Sequence, residues 1–169
     1  NSPGVRRVKV SFPFFKGRLV SWRTDFQTVL TVEFSLSKKC ILVGAPVDSG
    51  QRTQGCLMGP PAYRVAGIAS TLQELGHTVE DWGDVTPAPV AGRAASTPTI
   101  HGEAETVAWA KSLDDVAYRA MGTGRFPIFM GGDHALSMGT VAGIARHAHE
   151  AGRKLFLLWL DAHSDVHTP

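Results

Sequence analysis

Four short apolar runs, separated by stretches of helical period, constrain the fold of this chain more than any other feature of its sequence. They are Cys40–Pro46 (CILVGAP), a weaker run at His77–Trp82, Phe126–Met130 (FPIFM) and Lys154–Leu160 (KLFLLWL). Each has the length of a strand, and Gly44, Pro46 and the pair Gly131-Gly132 supply the breaks. Between the first two runs, Gly59-Pro60-Pro61 opens a helix, proline being tolerated in a first turn. Ala62, Val65, Ala66, Ala69, Leu72 and Leu75 follow helical spacing, and Gly76 ends it. A second helix is expected from about Gly102 to Met121, with Trp109, Leu113, Val116, Ala117 and Ala120 on one face. A third is expected from about Ala135 to Ala151. The stretch Thr86–Ser96 reads as a loop. Unbroken apolar strands alternating with helices imply parallel strands covered on both faces. The expected fold is α/β, a three-layer α/β/α arrangement around a mainly parallel sheet.

At 169 residues the chain is long enough for one hydrophobic core. Seventeen Lys+Arg against fifteen Asp+Glu leave a formal charge of +2, too small to argue for a nucleic-acid partner. No apolar run approaches the roughly 20 residues of a membrane-spanning helix. The first thirty or so residues carry Arg6, Arg7, Lys9, Lys16, Arg18 and Arg23 among aromatics without a clear period. No secretory signal is legible there. The first methionine is Met58, and two readings of this start stand side by side: upstream sequence before a start at Val32, or a variable N-terminal extension. Cys40 and Cys56 do not make a disulfide framework and read as two reduced thiols in a cytoplasmic protein.

Two segments carry chemistry, Gly131-Gly132-Asp133-His134 and Asp161-Ala162-His163-Ser164-Asp165. Each follows a strongly apolar run directly. In open α/β sheets ligands bind beyond the carboxyl ends of the strands, so both segments point to one edge. Fully extended, Asp161 and Asp165 would stand ~13 Å apart, so a compact site requires the chain to curl after Leu160. Carboxylates that can bridge cations, mixed with neutral imidazoles, suit a two-metal site and Mn²⁺ better than a thiolate-preferring metal. A purely structural reading also stands, in which Asp133 caps the helix it precedes.

Gly131–Thr140 (GGDHALSMGT) and Asp161–Pro169 (DAHSDVHTP) resemble the first two signature motifs of the ureohydrolase family. Gly44–Arg64 (GAPVDSGQRTQGCLMGPPAYR) is similar to its opening strand, glycine-rich loop and first helix. The resemblance covers about Cys40 to Pro169 and implies an arginase-like fold, incomplete in this chain, with residues 40–169 the N-terminal part of a single ureohydrolase domain and residues 1–39 an extension. By the family pattern two Mn²⁺ ions are held, His134 on the first and His163 on the second. Asp161 bridges them, and Asp165 binds the first while orienting the attacking water. Attack on a guanidinium carbon then gives a tetrahedral intermediate that collapses to urea and an amine. The pattern continues with an aspartate pair and a proton-transferring histidine, for which these 169 residues hold no counterpart.

Gly44–Pro60 and Thr168-Pro169 look more like arginases than agmatinases or formiminoglutamate hydrolases, which implies L-arginine as substrate. One departure bears on this. Many arginases place Asn two residues after the last Asp to contact the substrate α-carboxylate, and this chain has His167 there. An imidazole also donates to a carboxylate, so His167 is the expected substrate contact. The resemblance further implies a homo-oligomer when complete, with no nucleic-acid or membrane partner. A truncated, non-catalytic metal-binding relic stands as an alternative class, and a dinucleotide-binding domain is disfavoured by the lack of G-x-G-x-x-G. His77, His101, His147 and His149 read as structural or surface residues. Ser137 and Ser164 have no histidine–acid relay.

Overall fold

The computed structural model describes residues 37–51, 54–89 and 102–162. The chain divides into two units, Asn1–Leu36 and Ser37–Pro169. The first, and with it the alternatives for residues 1–31, lies outside the described residues. Within the second, the apolar run at Cys40 forms strand β1 (Lys39–Ala45). It is flanked by β2 (Thr78–Asp84) and β3 (Phe126–Gly131) in a parallel sheet of order β2-β1-β3. Cys40 pairs with Val79 on one side and Phe126 on the other. The central position accounts for the composition of β1: Ile41, Leu42, Val43 and Ala45 are all fully buried. The β1–β2 register slips between Leu42, opposite Asp81, and Gly44, opposite Asp84. Gly83, in the left-handed region at φ 77°, sits in that bulge.

Alternation along β1 sends Ile41, Val43 and Ala45 to one face. There α3 (Glu103–Gly122) covers them with Trp109, Leu113 and Ala120. The helical face expected from the sequence is the one buried. A further helix, α4 (Leu136–Glu150), lies against α3 through glycines rather than large side chains. A Cβ on Gly139 would stand 2.3 Å from the Ala110 carbonyl oxygen, and one on Gly143 would stand 2.2 Å from that of Asp114. Arg146 crosses the interface to Asp114 at 2.8 Å and Asp115 at 3.0 Å, its guanidinium 4.1 Å above the Tyr118 ring.

The opposite face of β1 presents Gly44, whose added Cβ would meet Pro60 in the first turn of α1 (Gly59–Val65). The sequence predicts one helix from Gly59 to Leu75, and here the structure differs. The chain breaks into α1 and α2 (Ile68–Glu74) at Ala66-Gly67. Gly67 takes φ 83°, and its N–H turns back to the Arg64 carbonyl at 3.0 Å instead of continuing the four-residue ladder. The apolar spacing survives across the break, but Val65 and Leu75 are exposed.

A second expectation is corrected. Lys154–Leu160 is not a strand: it has no regular secondary structure, and Phe156 and Leu160 are 88% and 84% exposed. A strand exists through its ladder hydrogen bonds. Among the described residues none pairs with this run, so the sheet has three strands rather than four.

Candidate functional site

The loop from β3 into α4 is built around glycines that let it pass the end of β1. Gly132 sits at φ 29°, and a Cβ there would come within 2.4 Å of the Ala45 carbonyl oxygen and 2.5 Å of the Val47 nitrogen. The Asp133 N–H donates to the Val47 carbonyl at 2.8 Å. Its side chain is buried, and both carboxylate oxygens accept backbone hydrogen bonds. Gly50 N–H donates to Oδ2 at 2.7 Å, and Ala135 N–H to Oδ1 at 2.9 Å. Since Ala135 itself stands at the N-cap, its bond is a local one at the entry to α4, and not the helix cap that the sequence allowed for Asp133. The bond from Gly50 ties a distant segment to it. On the far side of His134, the Ser137 N–H and hydroxyl both donate to the His134 carbonyl, at 3.0 and 2.8 Å.

So held, His134 meets the segment after Leu160. Its Nδ1 lies 3.2 Å from Asp161 Oδ2, with 47% and 22% of the two side chains exposed. Its ring centroid lies 5.2 Å from that of Trp159, tilted by 36°. Residues from two separate motifs therefore converge at the carboxyl ends of the strands. His163, Asp165 and His167 lie outside the described residues. Among the described residues no three His, Cys, Asp or Glu side chains gather at one point. The donors that do meet, an imidazole nitrogen and a carboxylate oxygen in a solvent-reachable loop, are the mixture that suits Mn²⁺. In that respect the residues present fit such an ion.

The loop after β1 has its own order. Asp48 accepts from the Gln51 side-chain amide at 2.8 Å and from the Gly55 and Cys56 backbone at 3.3 and 3.2 Å. The Gln51 bond, aided by the backbone amides, holds the Asp48 carboxyl below the usual range against the effect of burial. Burial first, then the charges of Asp48 and Asp133, pushes the Cys56 thiol up. Cys40 and Cys56 are both unbridged. Arg64, which the sequence did not single out, clamps β2 with a forked pair to Asp81 at 2.7 and 3.0 Å and a bond to Asp84 at 2.6 Å. Two of the remaining histidines make local contacts. His77 Nδ1 accepts the Lys38 N–H at 3.2 Å, and His147 lies edge-on to Tyr118; His101 is outside the described residues. No helix among the described residues is long and apolar enough to cross a membrane.

A parallel sheet with helices on both faces and polar loops converging at one edge defines an α/β protein with its candidate site at the carboxyl end of the sheet. A profile of the Arginase family matches residues 38–169. The chain belongs to the arginase family. It is 49% identical over 129 residues to the arginase of Brucella melitensis, covering 76% of this chain and 42% of that protein. It is 44% identical over 131 residues to the arginase of Agrobacterium fabrum, covering 78% and 40%. The fold is similar to the arginase structures of Bacillus caldovelox (TM-score 0.55, 34% identity, 65% of this chain and 37% of that one) and Bacillus cereus (TM-score 0.54, 32% identity, 65% and 35%). The chain thus spans about two-fifths of the length of the curated relatives it matches.

Proposed function

We propose that residues 40–169 form part of a binuclear manganese hydrolase that cleaves the guanidinium group of L-arginine to L-ornithine and urea. The observation that carries this reading is the approach of His134 Nδ1 to Asp161 Oδ2, 3.2 Å apart although they belong to separate motifs. His134 would hold one ion together with Asp165, and His163 the other, with Asp161 between them. Mn²⁺ in such a donor set supplies a lowered water pKa near neutral pH and neutralises developing negative charge. The chain's own residues do the positioning. His134 and Asp161 present their donors at one edge, the Asp133 loop fixes the His134 backbone, and Asp165 accepts a hydrogen bond that aims the water at the guanidinium carbon. His167 donates to the substrate α-carboxylate. Arginase identity among the relatives supports arginine over agmatine.

The test compares kcat/KM for L-arginine and agmatine in the protein carrying its full reading frame, supplied with Mn²⁺. A site built to hydrogen-bond an α-carboxylate leaves polar partners unpaired with agmatine, and discrimination of several orders of magnitude is expected. Equal values, or a preference for agmatine, would assign the chain to another ureohydrolase activity.

A further inference from the structure

Asp133 precedes His134 by one residue and is not among the candidate metal ligands, yet it is the better buried of the two, at 8% exposure. Burial of a carboxylate costs free energy unless hydrogen bonds replace water. Here the replacements come from two places, the Gly50 amide after β1 and the Ala135 amide at the entry to α4. The backbone repeats the connection, since the Asp133 N–H donates to the Val47 carbonyl. With the Ser137 bonds fixing the His134 carbonyl on the other side, His134 retains little freedom beyond rotation of its own side chain.

We infer that Asp133 is a positioning residue, whose carboxylate couples the Ser49-Gly50 turn to His134 and so sets the place of the imidazole opposite Asp161. A carboxylate is required because two backbone N–H groups from different segments need two acceptor oxygens. An asparagine would turn an N–H₂ donor toward one of them. The inference rests on the metal-binding role proposed for His134. The turn contributes through its shape as well as its amide. A Cβ on Gly50 would lie 2.9 Å from the Ala135 Cβ and 3.2 and 3.3 Å from the Asp133 carboxylate oxygens.

The test measures Mn²⁺ binding to the protein carrying its full reading frame from the electron-spin-resonance signal of the free ion, in the parent and in Asp133→Asn, Gly50→Ala and His134→Ala. The Gly50 variant disturbs the same contact from outside and leaves the carboxylate chemically intact, so it serves if Asp133→Asn does not fold. Far-UV circular dichroism checks that each protein is folded. The His134 ring ¹H–¹⁵N resonances, recorded without metal, report whether the imidazole has moved. Loss of a group that orients a metal ligand weakens binding about 10–100-fold. Folded Asp133→Asn and Gly50→Ala should therefore bind Mn²⁺ at least tenfold more weakly and shift the His134 ring signals. Parent-like affinity and ring signals in both variants, beside lost affinity in His134→Ala, would overturn the positioning role. Unchanged affinity in His134→Ala would instead overturn the metal-binding role on which it rests.

Discussion

At the scale of single residues, the polar contacts divide into those that meet at the strand ends and those that hold the frame. Asp161 belongs to the first group, since its carboxylate lies against His134. In the complete enzyme Asp161→Asn should lower kcat for urea release by at least a hundredfold with little change in melting temperature. Its loop contributes little apolar packing, so the loss belongs to the site and not to the fold; steady-state kinetics beside thermal unfolding separates the two. Arg64 belongs to the second group. Its forked hydrogen bonds hold the Asp81 carboxyl below the usual aspartate range. The folded protein therefore binds that proton less readily than the unfolded chain does. The stabilisation is fully present above about pH 4 and fades as pH falls through the lower folded-state value. Arg64→Ala should cost about 1 kcal/mol at neutral pH, a modest figure because the pair is partly solvated. The gap in unfolding free energy between parent and variant should narrow as pH falls below about 4. His134 and Asp161 were legible in the sequence because each directly follows an apolar run, although only the run before His134 forms a strand. The Asp133–Gly50 bond was not, because its partners are 83 residues apart and no local pattern links them. Arg64 was missed for the same reason: a charged residue near a helix end shows no partner in its spacing.

Among the secondary elements, the α3–α4 contact is the most demanding. Gly143 stands where a methyl group would meet the Asp114 carbonyl oxygen at 2.2 Å and the Ala117 Cβ at 2.9 Å. Backbone cannot yield as a flexible side chain does, so Gly143→Ala should destabilise the protein by about 2 kcal/mol. Urea denaturation would read this as a lower midpoint at unchanged slope. Gly122, with open space around it and no left-handed backbone, is the contrasting position. Three strands and the long helices followed from apolar runs and helical period, because those patterns report which face is buried. The break at Gly67 did not, since helical spacing continues through one left-handed residue and only the hydrogen-bond ladder records the interruption. The run KLFLLWL misled in the opposite direction: its composition is that of a strand, but pairing depends on a neighbour that composition does not name.

For the molecule as a whole, that run leaves Phe156, Leu158 and Leu160 exposed in close succession. Contiguous apolar surface of this kind promotes association. Replacing Phe156 and Leu158 together by lysine should reduce concentration-dependent self-association of the 169-residue chain, as followed by light scattering. The same chain should release no urea from L-arginine above a metal-free control at any Mn²⁺ concentration. By the family pattern it offers only Asp161 and Asp165 as anionic ligands, too few to offset repulsion between two divalent ions about 4 Å apart. Urea release by the purified chain would show that its ligand set is completed in some other way.

The central place of β1 has a consequence for how the protein is made. Both of its partners are synthesised after it, and β3 pairs Phe126 with Cys40 only when a long intervening segment has been produced. During vectorial synthesis β1, the most buried of the described strands, therefore leaves the ribosome before the other two and waits longest for its second neighbour. Loop closure over that distance is slow, and an unpaired strand is the species that hold-type chaperones recognise. Nascent chains stalled with Thr123 just outside the exit tunnel should be cut readily by a brief protease pulse, whereas chains stalled once Glu150 has emerged should resist it.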